Sequence, residues 1–128
     1  MKQRYLIVSI VSFLAIGAMG GLFLPTSAYN QKSMQEITLV AKNTRFNETN
    51  PIVVLHRGDQ VQMTIRNDEP PGTPHNLFIA GLDVKTSKIL QPGESETITF
   101  TPNRQGTFTY SCLLHPGMMD GQVVVQKR

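Results

Sequence analysis

The residues with the most evident chemistry lie in one short stretch near the end of the chain, YSCLLHPGMMDG (110–121). It contains Cys112, the single cysteine of the 128 residues, followed by His115 and the adjacent methionines Met118 and Met119. A thiolate, an imidazole and a thioether are the soft to borderline ligands that suit copper. Because three such residues can also meet by accident, a metal site requires a second histidine elsewhere and a rigid scaffold to hold it.

A second histidine is available on another part of the chain. The sequence has three histidines, His56, His75 and His115. His75 begins a predicted strand directly after a proline-rich loop, so it can meet the loop of Cys112 and His115 at one end of a β-sandwich. His56 precedes a turn signal and is expected to be exposed. His75, Cys112 and His115 are therefore candidates for a trigonal His₂Cys set with a weak axial methionine, the ligand geometry of blue-copper electron-transfer sites.

The elements that must position these residues are predicted to be short strands. Apolar and polar residues alternate in several segments bounded by Gly, Pro and Asn, and no segment after residue 34 has the 3.6-residue period of a helix. The predicted strands are 36–42, 52–55, 61–66, 75–80, a weak one at the end of 81–90, 97–100, 107–110 and 122–126. Their spacing of roughly 8–12 residues predicts an all-β fold, a Greek-key β-sandwich of seven to eight strands.

The first 28 residues differ in composition from the rest. Lys2 and Arg4 precede an apolar run (5–24) that contains only two serines as polar side chains, and Thr26-Ser27-Ala28 resembles a small-residue cleavage site. This pattern is typical of a secretory signal peptide, but the run is also about long enough to span a bilayer. A cleaved signal and a retained single-span membrane anchor therefore both stay open.

Either alternative places the following domain outside the cytoplasm, in the periplasm or another extracytoplasmic space. We expect residues 1–28 to be the signal peptide or anchor, 29–34 a linker, and 35–128 one copper-binding domain. Two of the 12 basic residues precede residue 28, which leaves 10 against nine acidic residues. Because the sequence has no basic stripe, we do not expect it to bind nucleic acid. We expect the protein to be a monomer.

Four segments in the expected order resemble the cupredoxins, the small blue-copper proteins such as plastocyanin, amicyanin and azurin, over nearly the whole domain. They are Gly58-Asp59-Gln60-Val61 (a turn into a strand), Pro74-His75-Asn76 (the first-ligand segment), 106–110 (the strand before the cysteine) and Cys112-x2-His115 followed by methionine and glycine (the ligand loop). The resemblance implies a cupredoxin-like sandwich with one Cu(I)/Cu(II) ion. It also implies that Asn76 ties the first-ligand strand to the loop near Ser111 or Leu113.

The axial ligand has two candidates. The spacing Cys-x2-His-x2-Met selects Met118, as in amicyanin-like sequences. In the family the methionine typically lies two residues before a glycine that opens the last strand, and Gly121 then selects Met119. The resemblance therefore favours Met119 and keeps Met118 as the alternative axial ligand.

The expected function is that of a mononuclear type 1 copper protein that carries single electrons between redox partners. An apolar patch near His115, formed by Pro71, Pro74, Leu114, Pro116, Gly117 and Met118, is expected to make transient contact with those partners, and Asp68-Glu69 beside it to steer a basic one. Copper storage, delivery or tolerance is the alternative, since these ligands also suit Cu(I). An enzyme is not expected, because a second copper centre needs more histidines than His56 and a dinuclear centre needs two cysteines.

Overall fold

The computed structural model describes residues 32–128, which form nine strands in two sheets and no helix. The strands are β1 Met34–Lys42, β2 Arg45–Phe46, β3 Val53–His56, β4 Gln60–Asn67, β5 Phe78–Ile79, β6 Val84–Lys85, β7 Ser95–Phe100, β8 Gly106–Ser111 and β9 Asp120–Gln126. Within the described part of the chain, no helix could cross a bilayer. The apolar segment 5–24, predicted as a signal or an anchor, lies outside the described residues.

The first sheet has the order β2-β1-β4-β7. Its centre is the parallel pair of β1 and β4, in which Met34 lies opposite Gln60 and Ala41 lies opposite Asn67. In β4 every second residue is buried and the residues between them are polar and more exposed, which confirms the predicted half-buried strand. The buried side chains of β4 face the core between the two sheets.

The second sheet has the order β3-β9-β8-β5-β6. Strand β9 pairs in parallel with β3 and antiparallel with β8, the central strand of this sheet. Val123 and Val125 of β9 and Tyr110 of β8 are buried in the same core as the first sheet's Met63 and Ile65. The two sheets therefore share one core, and the loops that carry the candidate metal ligands extend from its strands.

The strand count and several strand boundaries differ from the sequence prediction of seven to eight strands. Arg45–Phe46 lies outside the predicted strands, but it pairs with the end of β1 and makes a ninth strand, in which Phe46 is fully buried. The predicted strand 75–80 is reduced to β5. Its first part leaves the sheet because Leu77 hydrogen-bonds to Thr86 through its N–H and its carbonyl, while His75 forms an isolated bridge with Leu90.

The strand register places the candidate ligands at one end of the sandwich, which we call the site end. β8 finishes there at Ser111, opposite Asp120 at the start of β9. His56 lies at the other end of the same sheet, opposite Gln126. The third histidine is therefore separated from the other two by the length of a strand.

Candidate metal centre

His75, Cys112 and His115 come together at the site end. One ligand atom from each lies within 4.8 Å of the others, and this is the one such cluster found in residues 32–128. Cys112 Sγ lies 3.7 Å from Nδ1 of His75 and 3.5 Å from Nδ1 of His115. The three side chains predicted from separate parts of the sequence thus converge on one point.

His75 is held on both its backbone and its ring. Its N–H donates to the carbonyl of Leu90 over 3.0 Å and its carbonyl accepts from Leu90 N over 2.7 Å. Ring atom Nε2 lies 3.2 Å from Oε1 of Glu69. Burial and the nearby His115 lower the pKa of His75 below its ordinary value, and the opposing effect of Glu69 does not cancel them. This lowered pKa favours the neutral imidazole, which is the form that binds a metal.

Cys112 is the first residue after β8 and is fully buried. Residue alternation along β8 turns Tyr110 and Cys112 to the core side, with the half-buried Ser111 between them. The N–H of Cys112 donates to the carbonyl of Met119 over 3.2 Å, which extends the pairing of β8 and β9 by one step. The cysteine is therefore fixed by the sheet itself, and residues 112–119 form the loop that joins the two strands.

His115 is positioned by the turns of this loop. Its N–H donates to the carbonyl of Cys112, and its own carbonyl accepts from the N–H of Met118, both over 3.2 Å. Pro116 follows, and Gly117 has a φ of +78°, a conformation that glycine adopts without strain. The ring of His115 lies 4.7 Å from that of His75, centroid to centroid, and is half-buried. Of the three clustered side chains, His115 is therefore the one closest to solvent.

The two methionines have opposite environments. Met119 is fully buried in the core cluster, whereas Met118 is 55% exposed. Gly121 explains the spacing after Met119: it pairs with Tyr110 across the sheet, and an added Cβ would lie 2.2 Å from the tyrosine ring. The Tyr110 hydroxyl donates to the carbonyl of Pro51 over 2.7 Å, and burial raises the pKa of Tyr110 to about 12. A residue without a side chain is thus required two positions after Met119.

Asn76 makes the contact that the family resemblance implied for it. Its side-chain oxygen Oδ1 accepts from the N–H of Leu113 over 2.8 Å. This hydrogen bond joins the residue after His75 to the residue after Cys112. The two ligand-bearing segments are therefore fixed to one another beside the candidate site.

Three polar residues near the site were missed or misinterpreted from the sequence. Asn50 donates from Nδ2 to the carbonyl of Met118 over 2.9 Å and so fixes the ligand loop. Asn67 is fully buried and donates to the carbonyls of Thr73 and Leu90, each over 2.9 Å. The only sequence signal for either was an asparagine beside a loop rich in proline or asparagine, which is also typical of ordinary turns.

Glu69 is the third of these residues, and the expectation that it steers a partner with Asp68 is not supported by its position. Its side chain is only 5% exposed. Burial pushes the pKa of Glu69 upward, but hydrogen bonds from the Thr44 N–H, from His75 and from the Asn43 N–H outweigh it and hold the pKa below its ordinary value. Asp68 is exposed and paired with Arg66 at 2.8 Å. Neither carboxylate is thus a free surface charge.

The donor set of the cluster fits one copper ion. It consists of one sulfur and two imidazole nitrogens, with no carboxylate among the converging atoms. Thiolate and imidazole ligands suit copper, whereas Ca²⁺ and Mg²⁺ prefer oxygen. Cys112 and His75 are both fully buried, so two of the three candidate ligands are shielded from solvent.

Comparisons with known proteins agree with this geometry. The chain is similar to copper-containing nitrite reductases of Pseudomonas chlororaphis (32% identity over 94 residues, 70% of this chain and 26% of that protein) and Rhizobium sullae (31% over 77 residues, 57% and 20%). The chain spans only about a fifth to a quarter of the length of these curated relatives.

Solved structures share the fold of the described residues. Auracyanin from Roseiflexus castenholzii aligns with a TM-score of 0.61 and 22% identity, covering 73% of this chain and 98% of that one. A copper-containing nitrite reductase from Thermus scotoductus aligns with a TM-score of 0.63 and 26% identity, covering 75% and 28%. A sequence profile of the cupredoxin-like domain matches residues 12–125. Since this match includes most of the sequence, the chain belongs to the cupredoxin-like domain family.

Proposed function

We propose that this protein is a mononuclear type 1 copper protein that carries single electrons between redox partners outside the cytoplasm. The observation that carries the proposal is the convergence of Cys112 Sγ with Nδ1 of His75 and Nδ1 of His115 in one buried cluster. A His₂Cys set of this kind is the ligand set of blue-copper electron-transfer sites.

In this proposal each ligand has a defined role. Cys112 binds as a thiolate, and His75 and His115 bind through Nδ1 as neutral imidazoles. When bound, copper supplies a one-electron couple between Cu(I) and Cu(II). Since the two oxidation states prefer different geometries, a rigid site between them needs little movement when the electron leaves. The β8–β9 pairing, the Leu90 bridge and the Asn76 contact supply that rigidity.

Met119 is the proposed axial ligand. Met119 is fully buried in the core, and its carbonyl accepts from the N–H of Cys112, whereas Met118 is 55% exposed. These environments support Met119 over Met118 as the axial ligand. The close approach of Tyr110 to Gly121 also supports Met119, because this packing requires a glycine two residues after Met119. Met118 is then a surface residue of the ligand loop.

We propose that partners dock on the exposed apolar residues beside His115. Of the seven exposed large hydrophobic side chains among residues 32–128, three lie in the ligand loop: Leu113 at 58%, Leu114 at 39% and Met118 at 55%. An apolar patch of this kind suits a brief encounter of small area. Electrons would then pass through His115, the ligand nearest the surface.

The proposal also holds that the chain is not an enzyme by itself. The sequence has three histidines, and the one outside the cluster, His56, lies at the opposite end of its sheet. A histidine-based second copper centre would therefore need residues from another chain.

The extracytoplasmic location is proposed from the basic, apolar and small-residue pattern of residues 1–28.

The test is to load the purified protein with one equivalent of copper and cycle it electrochemically. The proposal predicts an intensely coloured Cu(II) form, a reversible one-electron wave and no turnover of nitrite. A colourless protein that holds only Cu(I) and hands it to a chelator would contradict the electron carrier in favour of copper storage or delivery. Steady nitrite reduction by this chain alone would contradict the non-enzymatic assignment.

A further inference from the structure

The buried carboxylate of Glu69 is not used by the function proposed above. Glu69 lies in the loop between β4 and His75, and its side chain is 5% exposed, against 36% for the neighbouring Asp68. Burying a carboxylate costs free energy unless hydrogen bonds compensate for the lost water. The partners of Glu69 therefore indicate what it does.

One oxygen of Glu69 makes two of its three side-chain contacts. Oε1 accepts from the N–H of Thr44 over 2.6 Å, and it lies 3.2 Å from Nε2 of His75. Since a backbone N–H already donates to Oε1, this oxygen is an acceptor, and His75 must be the donor. The hydrogen of the neutral imidazole is then on Nε2, which leaves the lone pair on Nδ1, the atom that faces Cys112 Sγ at 3.7 Å.

Asn67 holds the backbone of Glu69 in the position that this contact requires. Its Oδ1 accepts from the N–H of Glu69 over 3.0 Å, while its Nδ2 donates to the carbonyls of Thr73 and Leu90, each over 2.9 Å. Leu90 in turn makes both backbone hydrogen bonds to His75. The buried amide thus links the main chain of the histidine to the main chain of the residue that contacts its ring.

The N–H of Thr44 is presented by the tight turn between β1 and β2. Asn43 and Thr44 have φ values of +52° and +54°, as expected of a two-residue turn with both central residues in the left-handed region. Threonine is β-branched and adopts this region at a cost. A residue keeps such a conformation where contacts with its surroundings stabilise it, and the hydrogen bond from the Thr44 N–H to Glu69 is one of these contacts.

We propose that Glu69 is a positioning residue that fixes the tautomer and ring orientation of His75 and connects the β1–β2 turn to the metal centre. This inference rests on the proposed copper function, but it concerns the histidine before any metal is bound. In this role the negative charge of Glu69 is not needed for metal binding. What is needed is a side chain long enough to contact both Thr44 and His75 and an oxygen that accepts hydrogen bonds from both.

The experiment separates reach from charge with two conservative variants of the full chain. Glu69→Gln keeps an Oε1 acceptor at the same distance from the backbone and removes the charge. Glu69→Asp keeps the charge and is one methylene shorter, so it cannot reach Thr44 and His75 together. Asp68→Asn, at the exposed neighbouring carboxylate, is the matched control for loss of a charge in the same loop.

The first measurement is the ¹⁵N spectrum of the histidine rings in the metal-free protein, which reports which nitrogen carries the hydrogen. The second is copper affinity by competition with a chelator, together with the electron paramagnetic resonance spectrum of the Cu(II) form. The wild type and Glu69→Gln should show His75 with its hydrogen on Nε2 and similar copper affinity. Glu69→Asp should lose the single tautomer and bind copper about 10–100-fold more weakly, the usual cost of losing a hydrogen-bond partner of a ligating histidine.

Three results would overturn the inference. The first is a wild-type His75 with its hydrogen on Nδ1. The second is an affinity of Glu69→Asp within about twofold of Asp68→Asn, with unchanged spectra. An affinity loss in Glu69→Gln as large as that in Glu69→Asp would also refute it, since charge would then be the relevant property. Because the ¹⁵N measurement needs no metal, a failure of the copper function would be seen separately, as a colourless wild-type protein.

Discussion

At the scale of single residues, Cys112 is the candidate ligand on which the metal assignment depends most. Its Sγ is the atom that both histidine Nδ1 atoms approach. We expect Cys112→Ser to abolish the visible colour of the copper-loaded protein, because a hydroxyl does not replace a soft thiolate as a copper ligand. The absorption spectrum measures this directly.

The fold of the Cys112→Ser variant should persist, since serine has nearly the same shape. The buried hydroxyl should cost only about 1–3 kcal/mol in the free energy of unfolding. Circular dichroism and thermal unfolding of the metal-free variant provide the control. Colour that survives in a folded variant would mean that another group binds the copper.

The choice between the two methionines is also made at the residue scale. In the proposed assignment Met119→Leu removes the axial donor, whereas Met118→Leu changes an exposed surface side chain. The axial ligand tunes the potential of a blue-copper site, so voltammetry should show the larger shift in reduction potential for Met119→Leu. The reverse order would move the axial role to Met118.

At the scale of elements, the ligand loop is held in place by its hydrogen bonds to the segments around it. Asn76→Ala removes the acceptor for the N–H of Leu113. We expect a loss of about 1 kcal/mol in the free energy of unfolding and weaker copper binding, because the segments of His75 and Cys112 are no longer joined there. Asn103→Ala, at an exposed position between β7 and β8, is the control and should change neither quantity. Equal copper affinities for the two variants would show that this hydrogen bond does not shape the site.

The pairing of β8 and β9 depends on close contact between Tyr110 and Gly121. In Gly121→Ala the new Cβ would lie 2.2 Å from the tyrosine ring, which is fully buried and cannot move aside freely. Overpacking of this kind typically costs about 1–3 kcal/mol. Chemical denaturation should therefore show a larger loss for Gly121→Ala than for Gly72→Ala, where a Cβ meets nothing within 4 Å and only the φ of +95° is unfavourable, at about 1 kcal/mol. A smaller loss at Gly121 would mean that the sheets shift to accommodate the methyl group.

At the scale of the whole molecule, local patterns and the family resemblance predicted most of the architecture. Alternation along β4, β7 and β8 is visible in the sequence because one face of each strand is more exposed to solvent than the other. The convergence of His75, Cys112 and His115 followed from their expected places at strand ends. The role of Asn76 came from the resemblance and is confirmed by its bond to Leu113.

The remaining features depend on contacts between residues far apart in the sequence. Glu69 and Thr44 are 25 residues apart, and Asn50 and Met118 are 68 apart. No local signal distinguishes a buried loop carboxylate from a solvated one, so Glu69 was interpreted as a surface charge. The short strand Arg45–Phe46 was missed for a similar reason, since it is defined by pairing with β1 rather than by its own composition.

A single type 1 copper site is tested most directly by the absorption spectrum of the full-length protein during titration with Cu(II). A thiolate and two imidazoles that converge within 4.8 Å predict an intense blue colour. The absorption should rise linearly to one equivalent, stop there, and disappear on addition of one electron per protein. A pale spectrum without strong visible absorption, or a colour that continues to increase beyond one equivalent, would contradict a single type 1 copper site.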